Sequence, residues 1–86
     1  MKRTFKDKFE GLNGRIVDTW KRKNGDRVLL SIQRYHGKKG ADLRIWCRTE
    51  KDFHPSKRGL RIYCNELQSL FAAVARLREL ADDDEF

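Results

Sequence analysis

Apolar and polar residues alternate through the middle of this chain and then change period near its end. Positions 27–35 place Val28, Leu30 and Ile32 on one side of an extended chain and Leu29, Ser31 and Gln33 on the other. Leu29 breaks the strict alternation, so that second side is partly apolar. Positions 41–48 alternate more sharply, with Leu43, Ile45 and Cys47 against Arg44, Trp46 and Arg48. Positions 59–64 repeat the pattern, with Leu60, Ile62 and Cys64 against Arg61 and Tyr63. Period two is the mark of a strand covered on one face. A further strand is expected at 15–22. Asn24-Gly25 signals a tight turn after it, and residues 36–40, His-Gly-Lys-Lys-Gly, read as a hairpin loop. The polar stretch 49–58, with Phe53 and the only proline, Pro55, reads as a loop. From Asn65 the period becomes helical. Leu67, Leu70, Phe71, Val74 and Leu77 form one stripe, which Leu80 extends less cleanly. Asn65 is the expected N-cap, with Gln68 in capping-box position.

The expected fold is α+β: a four-stranded antiparallel sheet followed by one C-terminal helix that lies on one face. In that arrangement the aliphatic sets pack under the helix, and so do both cysteines. Arg44, Trp46, Arg48, Arg61 and Tyr63 are left on the uncovered face, where Tyr35 and Gln33 join them. Trp20 shares a side with Ile16 and Asp18 and is assigned to the core. Residues 1–13 form a basic arm, whose Phe5, Phe9 and Leu12 either dock on the body or move with the arm. Residues 14–81 form the domain, and residues 82–86 form an acidic tip.

Composition sharpens the uncovered face. The 86 residues suffice for one domain, and a domain of that size gains from self-association. Net charge is +7, yet Asp82, Asp83, Asp84 and Glu85 stand together at the end; setting those four acids aside leaves +11 on the body. Such a basic body suits a polyanionic partner. Every base has a π-face, so Trp46 and Tyr63 can stack on unpaired bases of any sequence. Arg44, Arg48 and Arg61 can pair with phosphates. Lys21, Arg22, Lys23, Lys38, Lys39, Lys57 and Arg58 add backbone contacts from nearby loops. The expected ligand is single-stranded DNA, because a duplex hides its base faces.

Other chemistry lacks its parts. His36, His54, Cys47 and Cys64 do not show the paired close spacing of a zinc site. There is no phosphate-cradling glycine motif, and acids cluster only in the tip, so a two-metal nuclease centre has no ligands. No enzyme, metal or cofactor is expected. No run approaches the ~18 apolar residues of a membrane span, and residues 1–8 do not resemble a signal peptide. The expected location is the cytoplasm.

At Asp42-Leu43-Arg44-Ile45-Trp46, then Lys57-Arg58-Gly59-Leu60-Arg61-Ile62, then Asn65-Glu66-Leu67-Gln68-Ser69-Leu70, the chain resembles the positive cofactor four family of transcriptional coactivators and its bacterial relatives. The resemblance covers about residues 14–80. It implies a homodimer of strongly curved four-stranded sheets with helices at the dimer contact, and sequence-independent binding of single-stranded DNA. By position Arg44, Trp46, Lys57 and Arg58 match the family's binding pattern best, while the first strand matches poorly. The ending Ala81-Asp82-Asp83-Asp84-Glu85-Phe86 resembles the acidic tip of bacterial and phage single-stranded DNA-binding proteins. That tip implies recruitment of replication and repair enzymes, and competition with DNA for the basic groove. The expected role is therefore replication or recombination in a phage or bacterium. A positive cofactor four-like transcriptional coactivator and an RNA-binding or assembly module are the alternatives.

Overall fold

The computed structural model describes residues 8–83. The element order is β1 (Arg15–Lys21), β2 (Arg27–Tyr35), β3 (Lys38–Arg48), β4 (Phe53–Tyr63), a 3₁₀ turn (Cys64–Glu66) and α1 (Leu67–Ala81). The strands form one antiparallel sheet in the order β1-β2-β3-β4, so the chain is a meander followed by a helix, an α+β architecture. No helix among the described residues is long and apolar enough to cross a membrane.

Two strands begin earlier than the residue pattern predicts. β2 and β3 are joined by His36-Gly37 alone, and Lys38 already pairs with Tyr35. Both turn residues have positive φ, 51° for His36 and 80° for Gly37. A two-residue turn of that kind follows the strand twist and needs no longer loop. Lys38 and Lys39 are thus strand residues. β4 likewise starts at Phe53, inside the stretch expected to be a loop. Pro55 is tolerated there because β4 is an edge strand, where a missing N–H costs nothing if it faces outward. Ser56, Lys57 and Arg58 stand opposite Ile45 alone, which makes a bulge. The Ser56 hydroxyl donates to the Ile45 carbonyl (2.7 Å) and accepts from the Arg58 N–H (3.1 Å), so the bulge closes its own hydrogen bonds.

Register assigns the side chains to faces, since directly paired residues point the same way. One face carries Arg27, Leu29, Ser31, Gln33 and Tyr35 from β2, and opposite them Trp46, Arg44, Asp42, Gly40 and Lys38 from β3. Arg61 and Tyr63 of β4 join that face. The other face carries Val28, Leu30, Ile32, Ala41, Leu43, Ile45, Leu60 and Ile62.

The face expected to be open is the covered one. The buried apolar residues are Phe9, Leu29, Trp46 and Phe53, with Leu12 and Ile16 packed against them. Phe9 and Leu12 of the arm therefore dock on the sheet. Trp46 is 3% exposed, so the expected exposed indole is instead the centre of the core. The aliphatic face has no helix over it. α1 makes its contacts chiefly with the turn that launches it, and Leu70 alone among its residues is even half-buried. Phe71, Val74, Leu77 and Leu80 are exposed. Leu43, Ile45 and Cys47, expected beneath the helix, are half-buried; Leu60 is exposed, and Cys64 belongs to the 3₁₀ turn. Both thiols are free.

Two local expectations also change. A bulge between Ile16 and Asp18 inserts Val17 and reverses the alternation. Ile16 then faces the core while Trp20 pairs with Val28 on the aliphatic side, 50% exposed. Asn65 does not cap α1. It lies within the 3₁₀ turn, and Glu66 precedes the helix without a side-chain cap bond. An N-cap needs an extended backbone, and the chain enters the turn directly from β4. Leu29, 1% exposed at the middle of the covered face, is the sharpest measure of this core. Leu29→Ala is expected to lower unfolding free energy by about 2–5 kcal/mol, read as a shifted urea midpoint with an unchanged denaturant slope.

Candidate nucleic-acid interface

On the covered face the central polar group is Asp42, 3% exposed. Its carboxylate accepts two parallel bonds from Arg44, Nε to Oδ1 and Nη2 to Oδ2, both 3.0 Å. Arg44 Nη1 also donates to the Ser56 carbonyl at 3.0 Å. Arg61 Nε approaches Asp42 Oδ2 at 3.5 Å. The Asp42 hydrogen bond holds the Arg44 guanidinium above its ordinary pKa, against the opposing effect of burial. Gly59 makes this geometry possible, because a Cβ there would stand 2.8 Å from the Cβ and Cγ of Arg44. Arg44 is thus turned inward as a strut between β3 and β4. It is not the free phosphate ligand expected of it.

Near the β2–β3 turn the same face carries cations against aromatic rings. The Arg61 guanidinium lies 4.3 Å from the Tyr35 ring centroid, and Lys38 Nζ lies 5.7 Å from that of Tyr63. Gly40 leaves room for the Tyr35 ring, since a Cβ there would meet it at 3.0 Å. The Tyr35 hydroxyl donates to Gln33 Oε1 at 2.9 Å, and Gln33 Nε2 donates to Ser31 Oγ at 2.8 Å. Burial, and then the negative field of Asp42, raise the Tyr35 phenol above its usual value. Tyr63 is 42% exposed, and the Arg61 side chain 64%. Tyr63, unlike Trp46, is open to a ligand, while Tyr35 is half-buried beside Arg61.

At the opposite end is a cleft of about 220 Å³, lined by Lys8, Lys21, Arg27, Arg48 and Lys51 together with Thr49, Glu50 and Asp52. Asp52 is already engaged, with His54 Nε2 at 3.3 Å and the Thr49 hydroxyl at 3.1 Å. The cleft is therefore dominated by cations and suits phosphate oxygens.

The expected site residues thus fall into groups. Lys21 and Arg48 meet in the cleft. Tyr35, Lys38, Arg61 and Tyr63 meet at the far end. Lys39 is exposed but pairs with Arg34 on the aliphatic face. Arg22 lines a shallow groove beside Trp20 and Lys23. Lys57 and Arg58 are exposed on the β4 bulge, with Arg58 Nη2 3.8 Å from Asp26 Oδ2. Arg44 and Trp46 are withdrawn. Asp82 and Asp83 follow α1 as exposed residues, while Asp84, Glu85 and Phe86 lie outside the described residues. Arg27, Lys8 and Lys51 were missing from the expected set. Arg27 was readable, since it alternates with Leu29, Ser31 and Gln33. Lys8 and Lys51 reach the cleft through folds of the chain that carry no local signal.

Among the described residues no group of His, Cys, Asp and Glu side chains converges as metal ligands. Comparison with family models, with curated proteins and with solved structures found no match to this chain.

Removing one partner of the buried ion pair strands the other. Asp42→Ala is expected to cost about 3–5 kcal/mol. The double variant Asp42→Ala with Arg44→Met is expected to recover most of that loss in a double-mutant cycle of unfolding free energies.

Proposed function

We propose that this chain binds single-stranded DNA without regard to sequence, and serves replication or recombination as a non-catalytic homodimer of positive cofactor four-like build. One observation carries the reading. Aromatic rings and cations share a single sheet face, from Tyr63, Lys38, Tyr35 and Arg61 at one end to Lys21, Arg27 and Arg48 at the other. The eleven residues of β3 that connect the two ends span roughly 33 Å, given ~3.3 Å per strand residue. The rings stack on unpaired bases, and the cations neutralise phosphates. The acidic tip beyond α1 recruits partner proteins and competes for the cleft.

Self-association is supported by the aliphatic sheet face and the α1 stripe, neither of which is covered by other described residues. Two such surfaces on one chain are complementary to a second copy, so each helix and sheet face buries against those of its partner. Among the described residues the covered side supplies Phe9, Leu29, Trp46 and Phe53 as buried apolar side chains, a small core for a chain of this length.

Fluorescence anisotropy with labelled oligo-dT and a matched duplex, at two salt concentrations, tests the DNA reading. Single strands are expected to bind more tightly, with steep weakening in salt. Lys21→Ala with Arg48→Ala is expected to weaken binding evenly across sequences and to flatten the salt slope by about 0.7 per lost phosphate contact. Equal affinity for the duplex, or indifference to salt, overturns the reading. Sedimentation tests the assembly. The native chain is expected at dimer mass with a concentration-dependent melting temperature, and Phe71→Glu with Val74→Glu at monomer mass.

A further inference from the structure

Phe9 sits on the sheet as a stacked base would. Its ring is stacked on Phe53, with centroids 5.3 Å apart and planes at 28°, and meets Trp46 edge-on at 5.4 Å. A short bridge holds it down beside Leu12, which also packs on the core: Phe53 N–H donates to the Lys8 carbonyl and Glu10 N–H to the Phe53 carbonyl, each 3.0 Å. Lys8, Glu10 and Gly11 on either side are exposed. Gly11, at φ 76°, lies in the turn that the Leu12 N–H closes onto the Phe9 carbonyl at 3.4 Å.

What lies beneath does not match a benzyl ring. The Trp46 indole is almost wholly buried, yet its Nε1–H has no acceptor among the described residues. A buried donor without a partner is costly, and the phenyl ring above it offers no lone pair. Trp46 also borders a cavity of about 140 Å³ lined by Asn13, Gln33, Asp42, Arg44 and Arg61, so the indole stands at the edge of a polar space. Phe9 therefore satisfies the apolar half of this site and leaves the polar half unmet.

A nucleobase satisfies both halves, because it has a π-face to stack and ring nitrogens and carbonyl oxygens that accept hydrogen bonds. Covering one phenyl side chain and stacking one base are interactions of similar strength, so exchange between them is close to balanced. We propose that the seat of Phe9 is a nucleobase pocket, in which an unpaired base displaces the Phe9 ring, stacks on Phe53 and accepts from Trp46 Nε1. This rests on the single-stranded DNA reading and adds to it a closed site that opens on binding. The Phe9 ring is then a built-in competitor of DNA.

The indole N–H of Trp46 reports the exchange directly. In a ¹⁵N–¹H spectrum of the full chain its peak is assigned as the one that remains in Trp20→Phe. Oligo-dT is expected to move that peak downfield, as a new hydrogen bond does. An abasic strand of equal length and charge is expected to bind but to leave the peak in place. Phe9→Ala is expected to bind oligo-dT several-fold more tightly than the native chain and the abasic strand no more tightly. Should that variant unfold, ultraviolet cross-linking of oligo-dT to the native chain reads the same contact, with adducts expected on the peptides of Trp46 or Phe53. If both strands bind and the indole peak stays still, with adducts confined to Tyr35 and Tyr63, Phe9 is a permanent anchor and the pocket is refuted while the DNA reading stands. If neither strand binds, both fall.

Discussion

The contact of Phe9 with Trp46 and Phe53 decides which side of the sheet is the inside. A four-stranded meander has two faces, and among the described residues this chain brings only the short segment around Phe9 and Leu12 to lie across one. That segment carries aromatic and aliphatic groups, and it settles where a large indole and a second phenyl ring wait for it. Leu29 and Ile16 complete the cluster. Once that side is sealed, the polar residues that share its register must be satisfied there. Asp42 is held by Arg44, Arg44 is braced by Ser56, and Gly59 gives the stem of the Arg44 side chain room.

The same choice leaves the aliphatic face without a lid. A β-branched and leucine-rich surface with no partner is unfavourable in water, and a helix standing clear of it with its own apolar stripe doubles the problem. The proposed pairing with a second copy would answer both at once, because hydrophobic burial has no directional requirement and only demands matched apolar area. Arg34 and Lys39 at one end of that face keep its rim polar.

The basic residues divide by whether a buried acid claims them. Arg44 is claimed by Asp42 and is a structural residue. Arg61 is shared between Asp42 and the Tyr35 ring, so it is oriented without being enclosed. Lys21 and Arg48 sit in the cation-rich cleft, where few acids offset them. The proposed ligand, with phosphates and π-faces, would therefore meet pre-set rings near the β2–β3 turn and concentrated charge at the opposite end, with the aromatic core between.

Much of the fold was legible in the residues themselves. Alternation at 27–35 and 41–48, the Asn24-Gly25 turn and the helical stripe from Leu67 are local signals, and local backbone geometry determines them. Sidedness within β3 was legible too, since Arg44 and Trp46 had to oppose Leu43 and Ile45. Which of those sides would be covered was not. Alternation states that two faces differ, but the cover comes from distant segments, and burial is a property of what arrives there. Phe9 arrived on the indole side and α1 stayed away from the aliphatic side, so tertiary contact alone turned Trp46 inward, made Arg44 a strut and left Arg61 and Tyr63 exposed on that face, with Tyr35 half-buried beside them.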